Sequence, residues 1–447
     1  MRTTRRPRTD RGGFTIVEML VAAVLVMAIM YLLSSCFAIA LESFRKMKAV
    51  GDMRERLRAA GTTLQNDLTA DHFDRYVSSQ ASGPRLSDQK MLDPYWQPPT
   101  DGFFRIGTGD SVNFGILEGT DADGNPSTRA TNHVLSFTVK RPGYRREQFF
   151  ASSILDPTPA VPNPVAARTL PQDFIQVGSF SSQWAEVAYY LWPTNTFAGG
   201  TPLYYLVRRE RPLVPSVNGD PTIPQNGNYG DMSRTSLQFT LPYTVPGPYQ
   251  QTQLFNTPQT ASAPCRRMNV YNYAAPGSGD RPVISVLPTG QFVYDNDVLA
   301  GRVPSVLQVS TSNPGGFVPL AVALPGSAGE EIVLTDVISF EVKVAHDLVS
   351  PSAPEFPFDY LPACTAAANS ALGAAGYPQQ RVFDTWSTEF DSLPGHPTPL
   401  YDYRGWATGG TSASIPLRTR VRALQIRLRV WDFKTQQARQ ITFIQDV

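Results

Sequence analysis

From Phe14 to Leu41 the chain runs for twenty-eight residues with one formal charge, Glu18. So long an apolar run does not suit an ordinary surface helix; it suits a membrane crossing. Glu18 is the anomaly, because an ionised carboxylate in hydrocarbon is costly. Ahead of the run, Arg2, Arg5, Arg6, Arg8 and Arg11 against Asp10 give the first thirteen residues +4, although the whole chain carries only +1. The positive-inside rule holds such a head in the cytoplasm and sends everything after Leu41 across the membrane. A near-neutral total provides no global basic field for nucleic acid, so no nucleic-acid partner is expected.

Three readings compete for this segment. A secretory signal peptide would use "AIA" at Ala38–Ala40 as its cut site, but its apolar core would exceed the usual ~7–15 residues. A lipoprotein signal would lipidate Cys36 in "LSSC", yet "FAIAL" follows where a polar tether belongs. Both leave Glu18 unexplained. The third reading explains it: "GGFTIVEM" (12–19) resembles the cleavage and methylation motif of type IV pilins and type II secretion pseudopilins. A glycine is followed by Phe, and Glu stands fifth after the cut. The resemblance implies that a prepilin peptidase/methyltransferase cuts after Gly13 on the cytoplasmic side and N-methylates Phe14, leaving the segment as an anchor. It also implies a role for Glu18: pairing with the new ammonium of a neighbouring subunit, or with its own in the bilayer. Desolvation of both ions offsets most of the Coulomb attraction, so the pair would set register more than stability. The positive end of the helix dipole favours a carboxylate in these first turns.

Twenty-eight helical residues span about 42 Å, more than the ~30 Å hydrocarbon layer, so the helix should emerge from the membrane. Beyond it, Leu41, Phe44, Met47, Val50, Met53, Leu57, Ala60, Leu64 and Leu68 recur in steps of three or four, with charges between them. This predicts an amphipathic continuation over 42–75, with Gly51 and Gly61 as points of bending and an end within Asp71–Tyr76.

The remainder, 76–447, reads as strand. The segments are "HVLSFTVK" (133–140), "WAEVAYYLW" (184–192) returning through a loop of Pro193 and glycines into "LYYLVRRE" (203–210), and "VISFEVKVAHD" (337–347). "RVRALQIRLRVWD" (420–432) then pairs with "ARQITFIQ" (438–445) across "FKTQQ". In the penultimate segment alternation sets Leu424, Ile426, Leu428 and Val430 toward the core. The 39 prolines, against a usual share of about 5%, also favour a loop-rich β protein. The expected fold is therefore α+β: a long N-terminal helix packed on a mainly antiparallel β head with large loop insertions. Helix, hairpin, "VISFEVKV" and closing hairpin together resemble the minor pseudopilin J family of type II secretion, with PilW-like minor pilins next. The stretches at 142–180, 212–325 and 348–417 have no counterpart in that resemblance and read as insertions.

The resemblance implies a non-enzymatic minor pseudopilin, held in the inner membrane by residues 14–41 after loss of 1–13, with a periplasmic head. Its partners would be other minor and major pseudopilins, the inner-membrane assembly platform and the lipid bilayer. A minor type IV pilus subunit for adhesion, motility or DNA uptake stands as an alternative, as does a membrane-tethered binding protein or lipoprotein that never polymerises. No catalytic motif is found: there is no G-x-S-x-G, no GxxxxGK and no HExxH. His72, His133, His346 and His396 are scattered singly and read as structural or solvent-exposed. "TDADGNPS" (120–127) sets Asp121, Asp123 and Asn125 at alternate positions, oxygen ligands that suit calcium; a plain Asp-Gly turn accounts for them equally, and no other cofactor is expected. Cys265 and Cys364 form either a disulfide in an oxidising compartment or two free thiols. Trp184, Tyr189, Tyr190, Tyr204 and Tyr205 make either a binding face or, as their strand setting favours, core packing.

Overall fold

The computed structural model describes residues 15–74, 83–89, 99–110, 116–120, 126–131, 133–143, 145, 148–153, 175–176, 179–215, 232–238, 251–262, 271–273, 282–284, 330–346, 358–361, 380–385 and 419–447. The fold is α+β, a long N-terminal apolar helix and an antiparallel sheet. The chain divides into two units, Met1–Glu55 and Arg56–Val447.

Helix α1 spans Ile16–Thr69 and runs through both Gly51 and Gly61. It ends two residues before the predicted window. Beyond Ala70 the backbone is taken by other partners: Lys140 donates its amide to the Asp71 carbonyl at 2.8 Å, and His72 and Phe73 donate theirs to Pro84. The predicted apolar stripe holds only in part. Leu57, Ala60, Leu64 and Leu68 are buried, but Leu41, Phe44 and Met47 are exposed. Steps of three rotate about 300° each, so a run of them drifts around the helix, whereas alternating threes and fours stay on one side.

Eight strands form the main sheet. We number them β1 (Phe104–Asp110), β2 (His133–Lys140), β3 (Trp184–Ala198), β4 (Thr201–Pro212), β5 (Glu330–His346), β6 (Gln380–Asp384), β7 (Val421–Asp432) and β8 (Gln437–Asp446). Their order is β6-β1-β2-β3-β4-β5-β7-β8, antiparallel at every step. β3 continues through Pro193, which the sequence reading placed in a loop. The register shifts between Pro193 and Phe197, and the Thr194 hydroxyl donates to the Leu203 carbonyl at 2.7 Å, bridging the irregular stretch. The turn proper is Gly199–Gly200, with φ of +55° and +87°. Two consecutive left-handed residues match the twist of a tight hairpin. In β7, Leu424, Ile426, Leu428 and Val430 are buried as alternation predicts.

β4 and β7 both pair with β5, on its opposite edges, and part at Val337 after the left-handed Asp336 (φ 58°). The edge freed beyond that point is closed by other groups: Phe340 donates to the Ala130 carbonyl, Val342 to His133 Nδ1 at 2.9 Å, and Val344 to the Asp359 carbonyl. His133 is thus a structural acceptor, its proton on Nε2.

Parts of the predicted 212–325 insertion cover the sheet. Leu213 and Ala261 pack with Phe103 and Trp184, and Ser233 donates to the buried Glu186 at 2.6 Å while accepting from Asn256 at 2.9 Å. Those described pieces belong to the core.

Two glycines predict opposite outcomes. At Gly102 (φ +87°) an added Cβ would stand 2.2 Å from the His72 carbonyl oxygen, whereas at Gly61 it would meet the Phe443 ring at 3.7 Å. In urea unfolding, Gly102→Ala should cost about 1–3 kcal/mol. Gly61→Ala should gain up to about 1 kcal/mol from helix propensity.

Candidate functional site

Glu18 opens helix α1. Thr15 donates both its amide and its hydroxyl to Glu18 Oε2 at 3.0 Å, and Glu18 returns its amide to Thr15 Oγ1 at 3.3 Å. This is a reciprocal capping box, Thr-x-x-Glu, which satisfies amide donors that a helix start leaves without partners. The pattern stands in "TIVE", and the cap adds to the charge pairing and the helix-dipole placement that the sequence suggests for this carboxylate. Both Thr15 contacts use one carboxylate oxygen. Capping and pairing with an ammonium are therefore compatible on a single side chain.

The helix that follows is the one described element long and apolar enough to cross a membrane, a property shared by anchors and signal sequences. Its apolar side chains stand exposed from Ile16 through Ile39. Cys36 is an exposed free thiol within it. Gly13 and Phe14 lie outside the described residues, as do the candidate calcium turn (Asp121, Asp123, Asn125), the cysteines Cys265 and Cys364, and His396.

A second polar site, which the sequence reading did not assign, lies in the head. Asp67, in the last turn of α1, receives Arg208 from β4 in a two-pronged pair: Nε to Oδ2 at 2.7 Å and Nη2 to Oδ1 at 3.1 Å. Tyr189 of β3 donates its hydroxyl to the same Oδ2 at 2.6 Å. Tyr189 and Arg208 are cross-strand partners, so the ladder itself delivers both donors to one carboxylate. Arg208 Nη1 also reaches Glu210 Oε2 at 2.5 Å. Burial opposes the guanidinium charge, but the Asp67 hydrogen bonds and the charges of Asp67 and Glu210 outweigh it, and Arg208 stays ionised more firmly than usual. Burial, reinforced by the Asp67 charge, pushes the Tyr189 phenol well above its normal range and keeps it a donor. The sequence does carry a trace of the site: Asp67 interrupts the apolar line at Leu64 and Leu68, and alternation sets Arg208 on the same side of β4 as Leu206.

One turn on, the buried His72 faces two carbonyls, Thr138 at 2.8 Å through Nδ1 and Leu68 at 3.2 Å through Nε2. Phe73, Phe104 and Phe137 meet its ring edge to face. A second buried acid, Glu341 on β5, pairs with Arg427 on β7 at 3.2 Å and accepts from the Tyr360 hydroxyl. Trp184, Tyr189 and Tyr190 are buried in the sheet, as packing predicted, and Tyr204 and Tyr205 are half-buried. These groups are occupied in holding strands and helix together.

Asp67→Asn should lower the unfolding free energy by up to about 3–5 kcal/mol, because it leaves the buried Arg208 guanidinium with Glu210 alone as close counter-charge, and Arg208→Met together with Asp67→Leu should cost less. Burial holds the His72 imidazole below its usual 6.5, against the pull of the Thr138 and Leu68 carbonyls, Asp67 and Asp71. The unfolded chain therefore binds that proton more readily than the folded one. The stability His72 contributes is complete above pH 6.5 and is lost as pH falls below it. Thermal unfolding followed from about pH 7 to about pH 5 should show a fall that flattens in His72→Phe.

No protein-family model, curated protein or solved structure matches the chain.

Proposed function

We propose that this protein is a minor pseudopilin: a non-enzymatic subunit anchored in the inner membrane by 14–41, carrying its head in the periplasm and joining a type II secretion pseudopilus. The observation that carries the reading is the conjunction at the start of α1. One carboxylate, Glu18, stands in the otherwise uncharged apolar run 14–41, which begins directly after a basic leader ending in glycine and has Phe14 as its first residue. Prepilin peptidase would cut after Gly13 and create an ammonium on Phe14, giving Glu18 a partner that the precursor lacks. The long helix ending in an antiparallel β head supports the same plan, as does a head large enough to sit at a filament tip, where it would prime assembly and meet exported proteins. The J-type subfamily and the periplasmic location belong to this proposal.

The type IV pilus reading shares every one of these features and differs in the machinery around it. Secretion of a reporter substrate should stop in a deletion strain under the pseudopilin reading, whereas twitching motility or DNA uptake should stop under the pilus reading.

The capping box makes the charge-pairing role separable. Glutamine at the third helical position still caps, but it carries no charge. Glu18→Gln should be processed normally and keep its helix start, yet enter filaments weakly, as Glu18→Ala should also do. Sheared-filament immunoblots read the result. Normal incorporation of Glu18→Gln would refute the charge pairing and leave only the cap. Replacing Gly13 with a bulky residue should leave the full precursor in the membrane fraction.

A further inference from the structure

Past Leu41, α1 does not turn uniformly polar. Phe44 and Met47 are 64% and 67% exposed, more than Leu41 at 43%. Exposed cations stand among them: Arg45, Lys46 and Lys48. Phe44 neighbours Met47 at i+3 and Lys48 at i+4, so an apolar patch edged by positive charge extends one turn beyond the apolar run. Glu42 is the one acid between residues 42 and 48, and Lys46 pairs with it at 2.7 Å. Arg45 and Lys48 are the cationic excess of this turn.

Position along the helix indicates what such a patch meets. From Glu18 to Phe44 is twenty-six residues, or about 39 Å of helix, close to the ~40–45 Å that separates the outer limits of the two headgroup layers. With Glu18 at one interface, Phe44–Lys48 arrives at the other. Aromatic and long apolar side chains interleaved with Lys and Arg are the composition of segments lying at a lipid–water boundary, where flexible cationic stems reach the phosphates.

We propose that the Phe44–Lys48 turn is a lipid-docking site that engages anionic phospholipid headgroups of the leaflet opposite the basic leader. Phe44 and Met47 enter the boundary, and Arg45 and Lys48 take the lipid phosphates. The site rests on the membrane-anchor part of the reading above. It adds a defined lipid partner and a fixed depth for the subunit before assembly.

The test uses the full chain in proteoliposomes, with Phe44→Cys carrying an environment-sensitive fluorophore and Cys36, Cys265 and Cys364 replaced by Ser. Spin-labelled phosphatidylglycerol should quench the fluorophore at lower concentration than spin-labelled phosphatidylcholine, by roughly fivefold per unneutralised cation. Arg45→Gln with Lys48→Gln should bring the two curves together. Equal quenching by both lipids in the parent protein would overturn the proposal. So would protection that appears only as protein-to-lipid ratio rises, which would assign the patch to a neighbouring copy. A companion protein retaining only Cys36 separates the two levels. If a membrane-impermeant maleimide cannot reach Cys36, the anchor stands whatever happens at position 44. If it reaches Cys36, the anchor reading fails and the docking site fails with it.

Discussion

The head depends on one buried pair, Asp67 with Arg208. Apolar contact between a helix and a sheet is non-directional, and Leu57, Ala60, Leu64 and Leu68 alone would tolerate sliding. The two-pronged geometry does not. Nε and Nη2 meet the two carboxylate oxygens at 2.7 and 3.1 Å, and the Tyr189 hydroxyl closes on the same oxygen. Desolvating two charges offsets much of their attraction, so the pair contributes more to specificity of docking than to net stability. It also ties helix docking to strand register. A slip of one residue between β3 and β4 would turn Arg208 to the other face and leave Asp67 buried without its cation.

The other buried polar groups serve the same sheet. Glu341 joins β5 to β7 through Arg427, and His133 caps an amide that β5 exposes once β4 has parted from it. Glu186 receives Ser233 from a segment that covers the sheet beside Trp184. Burying an ionisable or polar group is tolerable only with a partner, and each of these has one supplied by a different element. Each of these contacts fastens one strand to another or to a segment that covers the sheet.

How much of this stood in the sequence depends on the range of the interaction. "HVLSFTVK" and "RVRALQIRLRVWD" announce their strands because alternation over eight or more residues is local. Helix α1 is legible for the same reason, and "TIVE" holds its capping box within four consecutive residues. The helix end at Thr69 was not legible, since Asp71 is withdrawn by Lys140, a residue sixty-nine positions away in the chain. Pro193 misled because proline usually ends a strand, whereas here the ladder continues across an irregularity bridged by Thr194. The Asp67–Arg208 site lay beyond reach as a pair: alternation identifies which side each residue occupies, not that the two sides meet.

Under the proposed function, Glu18, the one acid of the apolar run 14–41, would gain a cationic partner through proteolysis. In the precursor, Glu18 has Thr15; in the processed chain it would also have an ammonium five residues from it by inclusive count, or that of a neighbour. Mass spectrometry of the amino-terminal peptide of the protein purified from cell membranes tests this most directly. The account predicts a chain beginning with N-methyl-phenylalanine at position 14. A chain still beginning at Met1, cut after Ala40, or lipidated on Cys36 would contradict it.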